Sequence, residues 1–376
     1  PSVRQHCSVA GCGGKIKTCM KYSFRGVATI CALSVFVACA GGQLAKIESS
    51  DFATLPPGDT GDLKEKFEIK ETLDLPPPPP PAPNPAPFPE SASAKKKSKR
   101  KEKKTAQPLP PTPPLAKDEA GPPPLPPFEW PKRRPTKDPL WLGEQLVYDI
   151  SYFGVSAGEF TMAVEGYKTI NGRKVYHTKG VAISSSVFSV FYRLNDMVES
   201  FLDYEGLFSH RFHIVLDETK QTRDSLELND SEKSQTYYWN RWNHKTRGYS
   251  EVKEFKPIPR FPQDSMSAMY YLRMILPISD GQMVTFPVVS EGKYWDAEIT
   301  ALRREEFNSP ALGKVRTIVL KPETKYQGIL QKRGDSFLWF TEDEHKYMVK
   351  MEAKVKIGTV HATLKRIIPG TPPPVE

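Results

Sequence analysis

Cysteine is confined to the start of this 376-residue chain, at Cys7, Cys12, Cys19, Cys31 and Cys39. The part after residue 39 can therefore form neither a disulfide framework nor a thiolate metal site, and a hydrophobic core must stabilise it. Long apolar runs are scarce as well. The run Gly26–Ala38 is shorter than the about 20 residues with which a helix crosses a bilayer.

Common catalytic signatures are also missing. The sequence contains no HExxH and no Gly-rich phosphate loop. Gly154–Gly158 matches GxSxG, but it joins two predicted strands, whereas the nucleophile elbow lies between a strand and a helix. His210 and His213 lie three positions apart in a predicted strand, which places them on opposite faces, so they cannot share a metal unless a bulge intervenes. Glu342–Glu344 separate two predicted strands, a position that favours a turn over an acid–base site. We therefore predict no catalytic residue, no metal and no cofactor.

The net charge of +9 is unevenly distributed. The decapeptide Lys95–Lys104 alone contains eight basic residues and one acidic residue, whereas from Pro139 onward 31 basic residues face 30 acidic ones. No aromatic residue interrupts the basic run, so a nucleic-acid site is not indicated. The basic run either contacts an anionic polymer, such as peptidoglycan, lipopolysaccharide or anionic lipid, or is a solvated charge block. Its basic residues are Lys95, Lys96, Lys97, Lys99, Arg100, Lys101, Lys103 and Lys104.

The stretch Met20–Cys39 resembles a bacterial lipoprotein signal peptide. Lys21 and Arg25 form a short positive region, and an apolar run and a small residue lead to Cys39. Phe36 stands where such signals usually have Leu, so an ordinary cleaved secretion signal and an uncleaved anchor remain alternatives. The resemblance implies cleavage before Cys39, acylation of that residue, and attachment to a membrane through the acyl chains.

The resemblance also implies a destination. Ala40 follows the predicted acylation site, where Asp would be the usual signal for retention in the inner membrane. We therefore expect an outer-membrane lipoprotein that faces the periplasm.

Five segments follow from composition. Residues 76–139 contain 23 of the 37 prolines, which favours an extended polyproline spacer on the order of 200 Å long. Residues 1–19 precede Met20 and are expected to lie outside the native protein. The predicted division is 1–19 upstream extension, 20–38 signal peptide, 39–139 disordered Pro-rich and Lys-rich tether, 140–368 β-rich domain and 369–376 tail.

From Leu140 onward, short alternating runs rich in Val, Ile, Tyr, Phe and Thr predict antiparallel strands. Asn171-Gly172 between two such runs is a strong hairpin signal. About a dozen strands are expected, enough for a mostly β fold with a barrel-like or two-layer antiparallel sheet. One helix, Asp264–Leu276, interrupts them, with Asp264 as N-cap and Pro277 ending it. Its apolar residues surround the cylinder, so it should be buried.

Some residues suit an amphiphilic ligand. Methionines adapt to apolar ligands and aromatic faces suit sugars or acyl chains, although core packing is the simpler explanation of both. Trp239 can share a strand face with Tyr237, and Trp242 with Tyr238. The candidate ligand-binding residues are Trp239, Trp242, Met266, Met269, Tyr270, Arg273 and Trp339.

Several motifs resemble a family of the bacterial envelope, the domain of unknown function 3108 family. They are Gly143–Tyr148 with Phe153–Gly158, the Asp-x-x-Ser-Ala-x-Tyr-Tyr-x-Arg pattern at Asp264–Arg273, the strand and acidic turn Phe337–Asp343, and Ile357–Val360. The resemblance covers about residues 142–366. It implies an exported β-rich domain and supplies no catalytic residues.

These observations favour a lipid-anchored periplasmic protein whose β domain is a binding or scaffold module for an amphiphilic ligand or envelope component. One alternative is a hydrolase or transferase that acts on cell-wall or lipid substrates. Another is a mechanical tether between the outer membrane and the cell wall.

Overall fold

The computed structural model describes residues 60–72, 127–326, 329–330, 335–355 and 357–373. A single antiparallel sheet dominates them, and three short helices accompany it. The helices are α1 Thr60–Lys66, α2 Ser186–Ser189 and α3 Ser267–Ile275.

The described residues form sixteen strands of this sheet, most of them joined by short hairpin turns. The first eight strands are β1 Lys70–Glu71, β2 Gln145–Tyr152, β3 Val155–Ile170, β4 Arg173–Ser184, β5 Asn195–Asp203, β6 Ser209–Asp217, β7 Gln221–Asp230 and β8 Gln235–His244. The remaining eight are β9 Gly248–Pro257, β10 Met283–Ser290, β11 Lys293–Ser309, β12 Gly313–Tyr326, β13 Ile329–Leu330, β14 Ser336–Thr341, β15 Met348–Lys354 and β16 Thr359–Ile368.

Strand pairing follows the order β10-β11-β12-β14-β15-β16-β2-β3-β4-β5-β6-β7-β8-β9, with β1 added to β3 and β13 to β12. The C-terminal β16 therefore pairs with β2, which joins the two halves of the chain. Beyond β9, the backbone of Gln263 bonds to that of Pro287 and Val289 on β10, at 2.8 and 2.7 Å. The two ends of the strand order are thus linked through this segment, and the sheet is barrel-like. The mostly β, barrel-like fold expected from the sequence is confirmed.

The sheet buries a different cluster on each face. On the inner face, side chains from β2 to β6, from β10 to β12 and from β14 to β16 surround α3 in one large core. On the outer face a smaller cluster joins strand residues to α1. Its members are Leu63, Phe67, Ile170, Val175, Phe201, Leu226, Leu228, Tyr237 and Trp239.

The α1–β1 segment lies on the outer face. Leu63 and Phe67 are buried against the sheet, and the Lys66 ammonium lies 3.0 Å from both carboxylate oxygens of Asp230. Lys70 and Glu71 then pair with the part of β3 that extends beyond β2. The sequence predicts a disordered tether over residues 39–139, whereas the structure places a helix on the sheet here. The helix packs because its two apolar side chains, at positions i and i+4, contact an apolar surface formed by residues far along the chain.

A second part of the predicted tether, residues 127–139, also contacts the sheet domain. The Trp130 ring stacks on Phe208 at a centroid distance of 5.8 Å, and the Arg173 guanidinium lies 4.5 Å from its centre. The backbone N–H groups of Arg133 and Arg134 donate to the carbonyl of Glu205 at 2.8 and 3.0 Å. Residues 73–126, which hold most of the prolines and the basic run, therefore connect two segments that both lie on the domain.

Two local predictions need correction. β9 has no strand signal in the sequence, because most of its side chains are polar and exposed and show no apolar alternation. The helix predicted from Asp264 begins at Ser267, where Met266 occupies the N-cap position without a side-chain cap bond. No helix among the described residues is long and apolar enough to cross a membrane.

Candidate functional site

The start of α3 is fixed by a buried carboxylate. Asp264 Oδ1 accepts the backbone N–H groups of Met266 and Ser267 at 2.8 and 2.7 Å, although the helix proper begins later. Its Oδ2 accepts the hydroxyls of Ser200 on β5 and Ser209 on β6, both at 2.6 Å. Burial raises the pKa of Asp264, and these hydrogen bonds oppose the increase. The carboxylate thus ties the helix to two strands.

The other end of α3 is fixed by a buried cation. Arg273 forms an ion pair with Glu144, with Nη2 and Oε2 3.1 Å apart, and both side chains are almost completely buried. The same guanidinium donates to the carbonyls of His345 and Pro139, at 2.9 and 2.8 Å from Nη2. Although burial opposes the charged form, Glu144 holds the pKa of Arg273 above its ordinary value.

The contacts at the two ends of α3 therefore bring together motifs that lie far apart in sequence. Glu144 belongs to the opening motif, Arg273 to the helix motif, and His345 follows the acidic turn. From the same helix, the Tyr270 hydroxyl donates to the Ala163 carbonyl of β3 at 3.0 Å. The polar side chains of this site fix the orientation of α3 inside the sheet, and they form hydrogen bonds with other groups of the protein.

The candidate methionines lie in the interior of the described part. Met266 and Met269 are buried members of the inner core, as is Tyr270. A groove of about 220 Å³ lies elsewhere, on the outer face of β2 to β4. Its lining residues are Gln145, Thr161, Ala163, Glu165, Lys179 and Val181. None of the predicted ligand-binding residues contributes to that groove.

The candidate tryptophans lie apart from one another. Trp239 is in the outer cluster with Tyr237, and its Nε1 donates to Glu251 at 2.8 Å. Trp242, three residues further along β8, donates to Gln221 at 2.8 Å. Trp339 on β14 belongs to the inner core and donates to Glu305 at 2.6 Å. The structure does not gather these rings into one binding surface.

A polar contact that sequence reasoning missed joins the β10–β11 hairpin to β7. The backbone N–H of Gly292 donates to Glu227 Oε1 at 2.9 Å, and Arg223 lies 2.8 Å from Glu291 in the same turn. The Oε2 atom of Glu227 has no hydrogen-bond partner among the described residues. Burial, with smaller contributions from Glu291 and Asp264, raises the pKa of Glu227 to about 7. No short-range sequence signal marks this contact, because 65 positions separate its partners.

Two buried histidines pair with aspartates. His213 Nε2 lies 2.7 Å from Asp224 Oδ1 on the neighbouring strand, and His210 Nε2 lies 2.9 Å from Asp203 Oδ2. Burial alone would raise the pKa of Asp203, but hydrogen bonds from Arg173 and His210 outweigh it and lower the pKa to about 2. Both histidine side chains are at most 3% exposed. A substrate therefore cannot reach either pair without a structural opening.

Within the described ranges, no group of three or more His, Cys, Asp or Glu side chains could hold a metal ion. Two other sets of predicted residues lie outside those ranges. They are Cys39 and the basic run Lys95–Lys104.

Comparison with solved structures gives a limited likeness at 10% sequence identity. A β-barrel-like protein with the domain of unknown function DUF1849 from Brucella abortus has a TM-score of 0.39, over 61% of this chain and 98% of its own. A candidate lipoprotein from Parabacteroides distasonis has a TM-score of 0.27, over 64% and 100%. A candidate exported protein with a YmcC-like fold from Bacteroides fragilis has a TM-score of 0.28, over 61% and 97%.

No curated protein matches the sequence. A family model does match, described as Protein of unknown function (DUF3108), over residues 147–365. This range covers more than half of the chain and contains β2 to β15 almost entire. The chain therefore belongs to the DUF3108 family, as its motifs predicted.

Proposed function

We propose that this protein is a lipid-anchored component of the cell envelope, in which the β domain serves as a binding or scaffold module held close to a membrane. The observation that carries the proposal is the packing of α1 and β1 on the sheet. This segment begins at Thr60, only a short distance along the chain from the predicted acylation site at Cys39.

The docked segment shortens the connection between anchor and domain. Only residues 40–59 separate Cys39 from α1, and 20 residues reach at most about 70 Å when fully extended. The Pro-rich residues follow β1, so they do not add to this distance. Two or more acyl chains at Cys39 would give stable attachment where one chain would be marginal. The arrangement favours a domain that works at or near the bilayer surface.

The interior favours scaffolding over a ligand held inside the sheet. Met266, Met269, Tyr270 and Arg273 contact protein groups in the core, so an amphiphilic ligand at these residues would have to displace α3. Native mass spectrometry of the protein purified from cells tests this point. We expect no lipid to co-purify with the domain. A lipid that is bound in a fixed ratio to the protein and survives dilution would instead support a ligand-binding site inside the sheet.

No geometry in the described residues favours the hydrolase or transferase alternative. The pairs His210–Asp203 and His213–Asp224 are buried. The pairs His177–Glu199 and His361–Glu352 are more accessible, and each joins two neighbouring strands of the sheet. The mechanical alternative depends on the basic run Lys95–Lys104. If that run binds peptidoglycan, purified peptidoglycan should retain the protein. Changing the lysines of the run to Gln should then abolish this retention.

Membrane fractionation with two matched cysteine variants tests the anchor. We expect Cys39→Ala to move the protein from the membrane fraction to the soluble fraction, because no thiol remains for acylation. Cys31→Ala, inside the predicted signal, should leave it in the membrane fraction. Membrane retention of Cys39→Ala would refute the anchor at this residue.

A further inference from the structure

Three loops at one end of adjacent strands expose apolar side chains to solvent. They are the β2–β3 turn, the β4–β5 connection that contains α2, and the β15–β16 turn. We call their exposed apolar residues the apolar rim. It consists of Phe153 at 67% exposure, Val155 at 62%, Val187 at 71%, Val190 at 80%, Phe191 at 78% and Ile357 at 69%. Scattered single apolar residues are ordinary on protein surfaces, but a clustered set indicates an interaction site.

Strand register places these loops side by side. At this end of the sheet, Val360 of β16 pairs with Tyr152 of β2, and Gly158 of β3 pairs with Ser184 of β4. The β15–β16 turn, the β2–β3 turn and α2 therefore follow one another along the same edge.

Polar and packing contacts hold the loops so that their apolar side chains point outward. The Tyr152 hydroxyl donates to the Ile357 carbonyl, which links two of the turns. The Phe153 ring lies so close to Gly358 that a Cβ there would be 3.0 Å from its Cζ. In α2, the Ser185 hydroxyl accepts the N–H of Phe188 at 3.2 Å, and the Ser185 N–H donates to the Ala157 carbonyl at 2.9 Å. None of the four residues of α2 is buried.

We propose that the apolar rim inserts into the surface of a lipid bilayer. Three separate turns form the rim and expose Phe, Val and Ile side chains. The serine hydroxyls of Ser185, Ser186 and Ser189 lie beside them in the sequence. Apolar tips above polar groups match the change from acyl chains to headgroups at a membrane interface. The inference rests on the proposed function for one point, namely that the anchor at Cys39 keeps the domain within about 70 Å of a bilayer.

Vesicle flotation tests the rim without the anchor. The chain from residue 39 onward, with Cys39→Ser to exclude acylation, is mixed with phosphatidylcholine vesicles at about 0.5 M salt, where attraction between exposed charges is largely screened. Because apolar burial drives the interaction, we expect flotation with the vesicles, weakened about tenfold or more in the double variant Val187→Ser/Phe191→Ser.

A matched control removes apolar residues of similar exposure outside the rim. Met283 is 52% exposed on β10, and Leu312 is 37% exposed in the β11–β12 turn. Met283→Ser/Leu312→Ser should float like the parent chain. All four positions are solvent-exposed, so thermal unfolding should be unchanged in both variants, which confirms that they fold.

Two results would overturn the proposal. One is a parent chain that does not float, or a rim variant that floats as well as its control. The other is a rim variant that loses a dimer seen in the parent by size exclusion, which would make the rim a contact between copies. Failure of the anchor is a separate outcome: an unacylated Cys39 in cells would refute the proposed function and leave the vesicle result intact.

Discussion

Arg273 of α3 and Glu144 at the start of β2 form an ion pair in the protein interior, where their side chains are 2% and 1% exposed. The pair joins α3 to the residue just before β2, the strand that also pairs with the C-terminal β16. The guanidinium also donates to two backbone carbonyls, those of Pro139 and His345. Two residues of the motifs on which the family resemblance rests thus have a structural role here.

Removing one partner of this pair should strongly destabilise the protein. Arg273→Met leaves the Glu144 carboxylate buried without its cation, and we expect a loss of about 3–5 kcal/mol in the free energy of unfolding. The double variant Arg273→Met/Glu144→Met buries no charge and should recover most of that loss. Urea unfolding followed by circular dichroism measures both.

An exposed pair serves as the control for this prediction. Arg303 and Glu305 are 51% and 35% exposed, so Arg303→Met should cost less than about 1 kcal/mol. Equal losses for Arg303→Met and Arg273→Met would show that the buried pair has no special role.

Stability should also depend on the ionisation of Glu227. Its pKa is raised to about 7 in the folded protein, above the ordinary value of 4.5. The folded state therefore holds a proton that the unfolded state has released, and stability falls as the pH rises from about 4.5 to about 7. The difference in pKa corresponds to about 3 kcal/mol over that range.

Comparison with Glu227→Gln isolates this effect. The amide cannot ionise, so the decrease in unfolding free energy between pH 5 and 7.5 should be smaller in the variant than in the parent by an amount of this order. The groups that face Glu227, namely Arg223, Asp264 and Glu291, stay in place in both proteins. Parallel stability curves for the two proteins would assign the pH dependence to other groups.

Docking of α1 should depend on its two buried side chains. Phe67 is 1% exposed, and full burial of a Phe side chain contributes about 1.5–3 kcal/mol. In Leu63→Ser/Phe67→Ser we expect amide hydrogen exchange in residues 60–72 to accelerate about tenfold or more, while exchange in the core strands stays slow.

Lys64→Ala is the control for docking, because this side chain is exposed on the same helix. Exchange in residues 60–72 should then stay close to that of the parent. Unchanged exchange in the double variant would contradict a role of Leu63 and Phe67 in holding the segment on the sheet.

Much of the fold follows from local patterns. Alternating strands, the Asn171-Gly172 turn and the buried helix are all visible in the sequence, because each depends on side chains close together in the chain. The position of α1 is not visible in this way. Its contacts require the apolar surface that residues such as Phe201 and Leu228 form only after the sheet has assembled.

The site is harder to predict for the same reason. The sequence predicts Arg273 as a ligand-binding residue, whereas the structure pairs it with a buried carboxylate. Its partner Glu144 lies 129 positions away, and only the assembled sheet brings the two together. Pairs such as Glu227 with Gly292 have no local signature at all, so a single sequence cannot reveal them.

Mass spectrometry of the mature protein extracted from membranes tests the central claim most directly, since that claim is an anchor at Cys39 that holds the sheet near a bilayer. We predict that the N-terminal residue is Cys39, that it carries acyl chains, and that no peptide before it is present. Detection of an intact peptide that contains Cys31, or of an unmodified Cys39 at the mature N-terminus, would contradict the account.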